Sequence, residues 1–342
     1  MPRLSLFALL IGHVLARLAV PAGVLLVSFA LLRLLPGDPA AVQAAAPGVG
    51  PAEVARIRAD MGLDAPLHRQ FGTYLRGLAA GDWGRSTLTG RPVRAELAER
   101  LPASAELTLA GFALAVMVAV PAGALAALRR GTAVDAGIRI GGALALSVPS
   151  FVTGLGLIAV FYVHLGWAPE PVGRLDPFLT PPPRVTGMMT VDAALAGDGA
   201  ALRSAAGRLA LPALALALFA AGPLLRITRA AMAAALAADY IRSARANGLP
   251  RRTILWTYAF RNALAPVVAT LSMTFAHALG AGVLIEKVFA WPGLGSFAVD
   301  AALALDHAAL QGFVLVMAAV FVAANLLADL LQAALDPRGG RA

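Results

Sequence analysis

Six stretches of this chain are apolar over lengths that a folded interior of this size cannot hide. They are Leu18–Leu32, Leu107–Leu128, Ile140–Val163, Leu209–Leu225, Ala263–Ile285 and Ala308–Ala328. A helix needs about 20 apolar residues to cross the hydrocarbon core of a bilayer. Two runs are short. Arg17 and Arg33 bracket the first and can snorkel, and Leu34–Leu35 lengthen it. An Ala-rich stretch after Arg226 lets the fourth continue as helix. Pro121, Pro149, Pro212, Pro223 and Pro266 fall within the runs. Neighbouring helices can satisfy the backbone groups that proline frees, and small residues let helices approach closely. Charged residues are only 14% of the 342, where a soluble domain carries about a quarter. The expected class is an all-α membrane protein.

The first apolar run exceeds a signal-peptide h-region and lacks an A-x-A site before a polar domain, so it reads as a retained helix. With six spans both termini share one side. The short loops 129–139 and 226–261 are Arg-rich and belong in the cytoplasm; the charges of the long loop 36–104 count little for orientation. The pI near 11.1 follows from few acids and many topogenic arginines. No aromatic-interleaved basic patch points to nucleic acid. No Cys is present, which excludes disulfides and thiolate chemistry.

The expected organisation is therefore a cytoplasmic N-terminus and first helix over 1–35 and a helical periplasmic loop over 36–104. A membrane core over 105–335 and a cytoplasmic tail over 336–342 follow. In the first loop, Pro51 and Glu53 with Val54, Ile57 and Met61 predict one helix, and Leu67–Leu78 a second. GDWG (81–84) is a turn, and RPVRAELAERLP a third short helix leading to the second span. The loop 166–206 carries TPPPR (180–184) and reads as stiff and extended.

Between the fourth and fifth runs lies DYIRSARANGLPRRTILWTYAFRNALAP, basic and too polar to cross. Ile227–Ala246 should be one helix extending the fourth span. Asn247-Gly248 ends it, since Gly is the usual residue just past a helix C-terminus. Pro250 suits the first turn of a new helix, Arg251–Ala263. Two helices meeting at a bend (229–262) have the build of a protein-docking element; a basic loop touching anionic membrane lipids is the plainer alternative.

Several chemistries are missing. A P-loop requires a Lys within G-x-x-x-x-G-K-[ST], and the only Lys, Lys287, sits in EKV. Neither H-E-x-x-H nor G-x-S-x-G occurs. His277, within the fifth run, and Glu286 at its end are candidates by default as ionisable groups near a membrane. They are too sparse for an ion-coupled transporter.

Eleven stretches in order carry a family resemblance: RLLPGDPA (33–40), GLDAPLHRQF (62–71), GDWGRS (81–86), TGRPV (89–93), ERLPASAELTLAG (99–111), PAGALAALRRG (121–131), SVPSFVTGL (147–155), DYIRSARANGL (239–249), RNALAPVV (261–268), EKVFAWPGLG (286–295) and LDPR (335–338). The chain resembles the inner-membrane permease subunit of binding-protein-dependent ABC importers, of the dipeptide/oligopeptide/nickel class. The segment Arg242, Ser243, Ala244, Arg245, Ala246, Asn247, Gly248, Leu249 looks like that family's E-A-A-x-x-x-G loop, with Arg242 and Ser243 replacing the Glu and first Ala. The resemblance implies a multi-pass protein of a bacterial inner membrane that is not itself an enzyme and holds no cofactor. It further implies two ATP-binding subunits carrying ATP and Mg, a second homologous permease, and a periplasmic or lipid-anchored solute-binding protein. It makes 242–249 the ATPase-coupling loop. His277, Glu286, Trp291, Pro292 and Gly293 become candidates to line the pathway; a purely structural turn at WPGLG is equally open. Peptides are the expected cargo. A nickel chelate or an oligosaccharide, or a scaffold or sensor that moves no solute, are the rivals.

Overall fold

The computed structural model describes residues 23–30, 33, 51–60 and 62–335. The helices are α1 (Pro51–Asp60), α2 (Leu67–Ala79), α3 (Val93–Leu128), α4 (Ala133–Ser147) and α5 (Ser150–Leu157), which runs on as π-helical turns over Ile158–His164. Then follow α6 (Met189–Leu195), α7 (Gly199–Ala237), α8 (Asp239–Ala246) and α9 (Arg251–Thr253). The last continues through π-helical Ile254–Phe260 into α10 (Arg261–Val288). After these come α11 (Leu294–Leu303) and α12 (His307–Leu335). Among the described residues β pairing is confined to one isolated bridge, Arg85 with Pro92.

Among the described residues, four helices are long and apolar enough to cross a membrane: Val93–Leu128, Gly199–Ala237, Arg251–Val288 and His307–Ala328. A fifth candidate is the pair α4 and α5. The run Ile140–Val163 is not one straight span: α4 and Ser150–His164 meet at 103°. Pro149 lacks an N–H and forces the residue before it to be extended, and Val148 sits at φ −101°, ψ 129°. Of the first run, residues 23–30 are helical; the rest lies outside the described residues, as do 36–50 and the tail 336–342. The expected short helix before the second span is instead the start of α3, which runs unbroken past Pro102 and Pro121.

The chain divides into two compact units, Met1–Leu101 with Phe297–Val322, and Pro102–Ser296 with Ala323–Ala342. In the first, Gly81 and Gly84 take φ of 79° in the GDWG turn. Ser86 Oγ donates to Asp306 at 2.5 Å, and the other Asp306 oxygen accepts the Ala309 N–H at 3.0 Å, capping α12. Phe29, Phe71 and Tyr74 form a ring cluster in the same unit.

The second unit is organised around α7, about 58 Å long at 1.5 Å per residue. It packs against α4, α5, α6 and α10. Small residues set its approach to α3: a Cβ on Gly111 would lie 2.8 Å from Leu216, and one on Gly123 2.8 Å from the Leu225 carbonyl. Such close backbone contact replaces the hydrophobic drive that a bilayer removes. Leu107, Ala215, Leu216, Ala278 and Ile285 form the adjoining core, all fully buried. The loop 166–206 is no bare spacer. It contains α6 and the first turns of α7, and Glu106 of α3 anchors it. That carboxylate accepts from Arg174 at 2.5 Å, from the Thr190 N–H at 2.7 Å and from its hydroxyl at 2.6 Å. Asp192 is buried, which alone would raise its pKa. The Thr186 N–H and hydroxyl and the Gly187 N–H all donate to it, and they hold it below the ordinary carboxylate value.

Candidate functional site

The basic segment builds an elbow at one end of α7. The expected single helix over Ile227–Ala246 is interrupted: Ala238 is extended at φ −70°, ψ 152°, and α8 begins at Asp239. Alanine's helix propensity cannot decide this, because it favours helix on either side. Tertiary burial decides it. The turn aims Ile241 (0% exposed) and Ala244 (5%), three residues apart on one face, into a core with Ala127 of α3, Met232 and Ala235 of α7, and Ile254, Ala259 and Ala263 beyond the bend. Arg242, Ser243, Arg245, Ala246 and Asn247 occupy the other face and are exposed. Arg242 pairs with Asp239 one turn back; both are solvated, so this contributes little.

The C-terminus of α8 closes as the sequence leads one to expect. The Gly248 N–H donates to the Arg245 carbonyl at 3.0 Å and the Leu249 N–H to Ala244 at 3.2 Å. Those two bonds, with Gly248 at φ 73°, make a Schellman cap. Leu249 packs on the same core as Ala244, the apolar contact that accompanies such caps. A Cβ on Gly248 would meet nothing within 4 Å. Glycine is therefore required there by backbone conformation and not by space. Pro250 then opens the next helix. Beside the bend lies a groove of about 480 Å³. Its floor is Ala127, Leu128, Leu236, Ile254 and Leu255, and Arg245 and Arg251 stand at its rim.

At the far end of α10 the structure brings Glu286, Trp291 and Gly293 together. Glu286 is 3% exposed. Its Oε1 accepts from Ser104 Oγ at 2.6 Å, and its Oε2 from the N–H groups of Gly295 (2.7 Å) and Ser296 (3.0 Å). The carboxylate thus caps the first turn of α11, where backbone donors have no helical partner. Ser104 Oγ also accepts the Leu294 N–H at 2.7 Å. Trp291, 1% exposed, donates from Nε1 to the Ala103 carbonyl at 2.8 Å. A Cβ on Gly293 would clash with both oxygens of Glu286, so only glycine fits beneath the carboxylate. Pro292 is exposed, and His277, also exposed, lies along α10 apart from this cluster.

Two groups escaped the sequence reading. Ser104 lies 182 residues from Glu286, and nothing local marks it. Asp135, buried at the start of α4, takes a two-pronged bond from Arg229 of α7, at 2.6 Å from Nε and 2.8 Å from Nη2. Its only signal was an acid in an otherwise basic loop.

Comparison with known proteins agrees over nearly the whole chain. Residues 119–340 match the family described as binding-protein-dependent transport system inner membrane component, and residues 6–108 its N-terminal counterpart. The probable D,D-dipeptide transport system permease protein DdpB of Escherichia coli K12 is 43% identical over 94% of each chain. The dipeptide transport system permease protein DppB of the same strain is 36% identical over 92% of this chain and 94% of its own. The di/tripeptide transport system permease protein DppB of Pseudomonas aeruginosa UCBPP-PA14 is 37% identical over the same shares. The chain belongs to the family of binding-protein-dependent transport system inner membrane components, and is a permease component rather than an enzyme.

Proposed function

We propose that this chain forms half of the path by which an ATP-driven importer moves peptides across the inner membrane, with α8 and its bend as the piece that receives the motor's stroke. The cargo is assigned from the relatives, several of which are named as dipeptide or peptide permeases. The chain crosses the membrane six times with both termini cytoplasmic, the first crossing being Leu18–Leu32. Two ATP-binding subunits hold ATP and Mg, a second permease completes the path, and a solute-binding protein delivers the peptide.

The observation that carries this reading is the two-faced elbow. Ile241 and Ala244 fix α8 to the ends of α3, α7 and α10, so a displacement of α8 moves the spans as a rigid body. The opposite face presents Arg242, Ser243, Arg245 and Asn247 to a partner, where the arginines can form charge-assisted bonds with carboxylates. Glu286, Trp291 and Gly293 act as a joint that shapes the opposite mouth, and His277 is the remaining candidate to face the pathway. The test is transport in proteoliposomes holding the full importer. Replacing Arg242 and Arg245 together by Gln should leave assembly of the permease pair intact while peptide uptake falls at least tenfold. Unchanged uptake would count against the docking role.

A further inference from the structure

We propose that the groove between α4 and α7, on the elbow side of the second unit, is a binding site for an anionic phospholipid. The groove holds about 410 Å³. It is lined by Arg139, Gly142 and Leu146 of α4 and by Leu225, Arg226 and Arg229 of α7. The helices run antiparallel here, as three contacts show. Asp135 bonds Arg229, a Cβ on Gly142 would meet Leu225 at 3.5 Å, and one on Gly222 would clash with Leu146. The three arginines therefore share one end of the groove and the leucines the other. Arg139 and Leu146 are seven residues, about 10 Å, apart along the axis.

The charge balance favours an anion. Asp135 is buried and already held by both prongs of Arg229. Arg139 acts on the same carboxylate from the next turn, and Arg226 is exposed one turn from Arg229. Three guanidinium groups against one neutralised carboxylate leave a net positive mouth. Planar guanidinium forks match phosphate oxygens. The apolar floor continues away from that mouth through Leu225, Gly222 and Leu146, the last 54% exposed. A free phosphate would use the mouth and leave the floor empty; a phospholipid uses both. Basic pockets of this kind between membrane helices hold lipid head groups.

The intact importer in nanodiscs of phosphatidylcholine doped with phosphatidylglycerol provides the test, read as phosphatidylglycerol retained in native mass spectrometry. Arg139→Gln with Arg226→Gln should lower retention roughly thirtyfold, about fivefold for each charge removed; Arg→Lys at both should keep most of it. Arg229 is left untouched, since its loss would strand Asp135. Gly142→Leu, which fills the floor and spares the charges, should also lower retention, and millimolar inorganic phosphate should not compete. A benzoylphenylalanine replacing Ala143 should cross-link lipid. Retention unchanged in the double Gln variant overturns the proposal. So does phosphate competing fully, which makes the site one for a free anion, or position 143 cross-linking only a polypeptide, which makes it a subunit interface. Should Gly142→Leu fail to fold, the arginine pair and the cross-link still decide.

Discussion

The elbow at 239–250 and the turn at 286–296 lie at the two ends of the continuous helix 251–288, and each uses a left-handed residue, Gly248 at φ 73° and Ala290 at φ 45°. They spend their polar groups in opposite ways. At the turn, Glu286 accepts from Ser104, Gly295 and Ser296, and Trp291 reaches Ala103. The polar atoms point inward. At the elbow the inward face is apolar, Ile241 with Ala244, and the arginines, Ser243 and Asn247 point out. A joint that satisfies itself is built to hold its shape. A joint that keeps its polar side chains on the surface is built to be gripped. The difference predicts that damage to the turn is felt as lost stability, and damage to the elbow as lost coupling in a stable protein.

The largest expected effect is at the turn. Glu286→Ala leaves the Ser104 hydroxyl, the buried Gly295 N–H and the part-buried Ser296 N–H without their acceptor, at a cost of several kcal/mol. Thermal melting of the detergent-purified chain should show a large fall or no folded yield. A near-normal melting point would erase the contrast. Asp135→Asn comes next. It removes the charge of one partner of a mostly buried ion pair, for about 3 kcal/mol, and should lower the melting point by several degrees without abolishing folding.

At the elbow, Gly248→Val must place a β-branched residue at φ 73°, costing about 1–2 kcal/mol. Uptake should collapse while melting falls only slightly. Gly248→Asn, which tolerates that conformation, should retain most uptake, since space is not the constraint. If the two variants behave alike, the backbone argument fails. The smallest effect concerns acid. Asp192 is depressed in the folded state, so its stabilisation is complete above the unfolded value near 3.9. It is lost as pH falls through the lower folded value. Wild type should therefore lose more stability than Asp192→Asn only on acidification below about pH 4, as melting curves would show.

Much of this architecture is legible in the residues. Long apolar runs announce four of the spanning helices, and Asn247-Gly248-Leu249-Pro250 announces the bend because the cap is local. What stays hidden depends on distant packing. The break at Ala238 follows from burial of Ile241 and Ala244 against α3 and the residues beyond the bend, not from any local breaker. Pro149 sits at the 103° corner between α4 and α5, whereas Pro212 and Pro223 lie inside the continuous helix α7. The local signal is the same in all three; which one bends is set by what packs there. At Gly222, next to Pro223, Leu146 packs so closely that a Cβ would clash with it. The Glu286 cap, made with Ser104 at long range, is hidden for the same reason.

The central claim is that the exposed face of α8 seats on the subunit that hydrolyses ATP. Photo-cross-linking from Ser243→Cys, in an otherwise cysteine-free permease within the assembled importer, addresses it most directly; the thiol is first coupled through a mixed disulfide to a benzophenone methanethiosulfonate. The account predicts a cross-link to the ATP-hydrolysing subunit that blocks uptake and is reversed by reduction. A thiol at position 243 that cross-links only to the solute-binding protein, or that is labelled by a reagent confined to the periplasm, would contradict it.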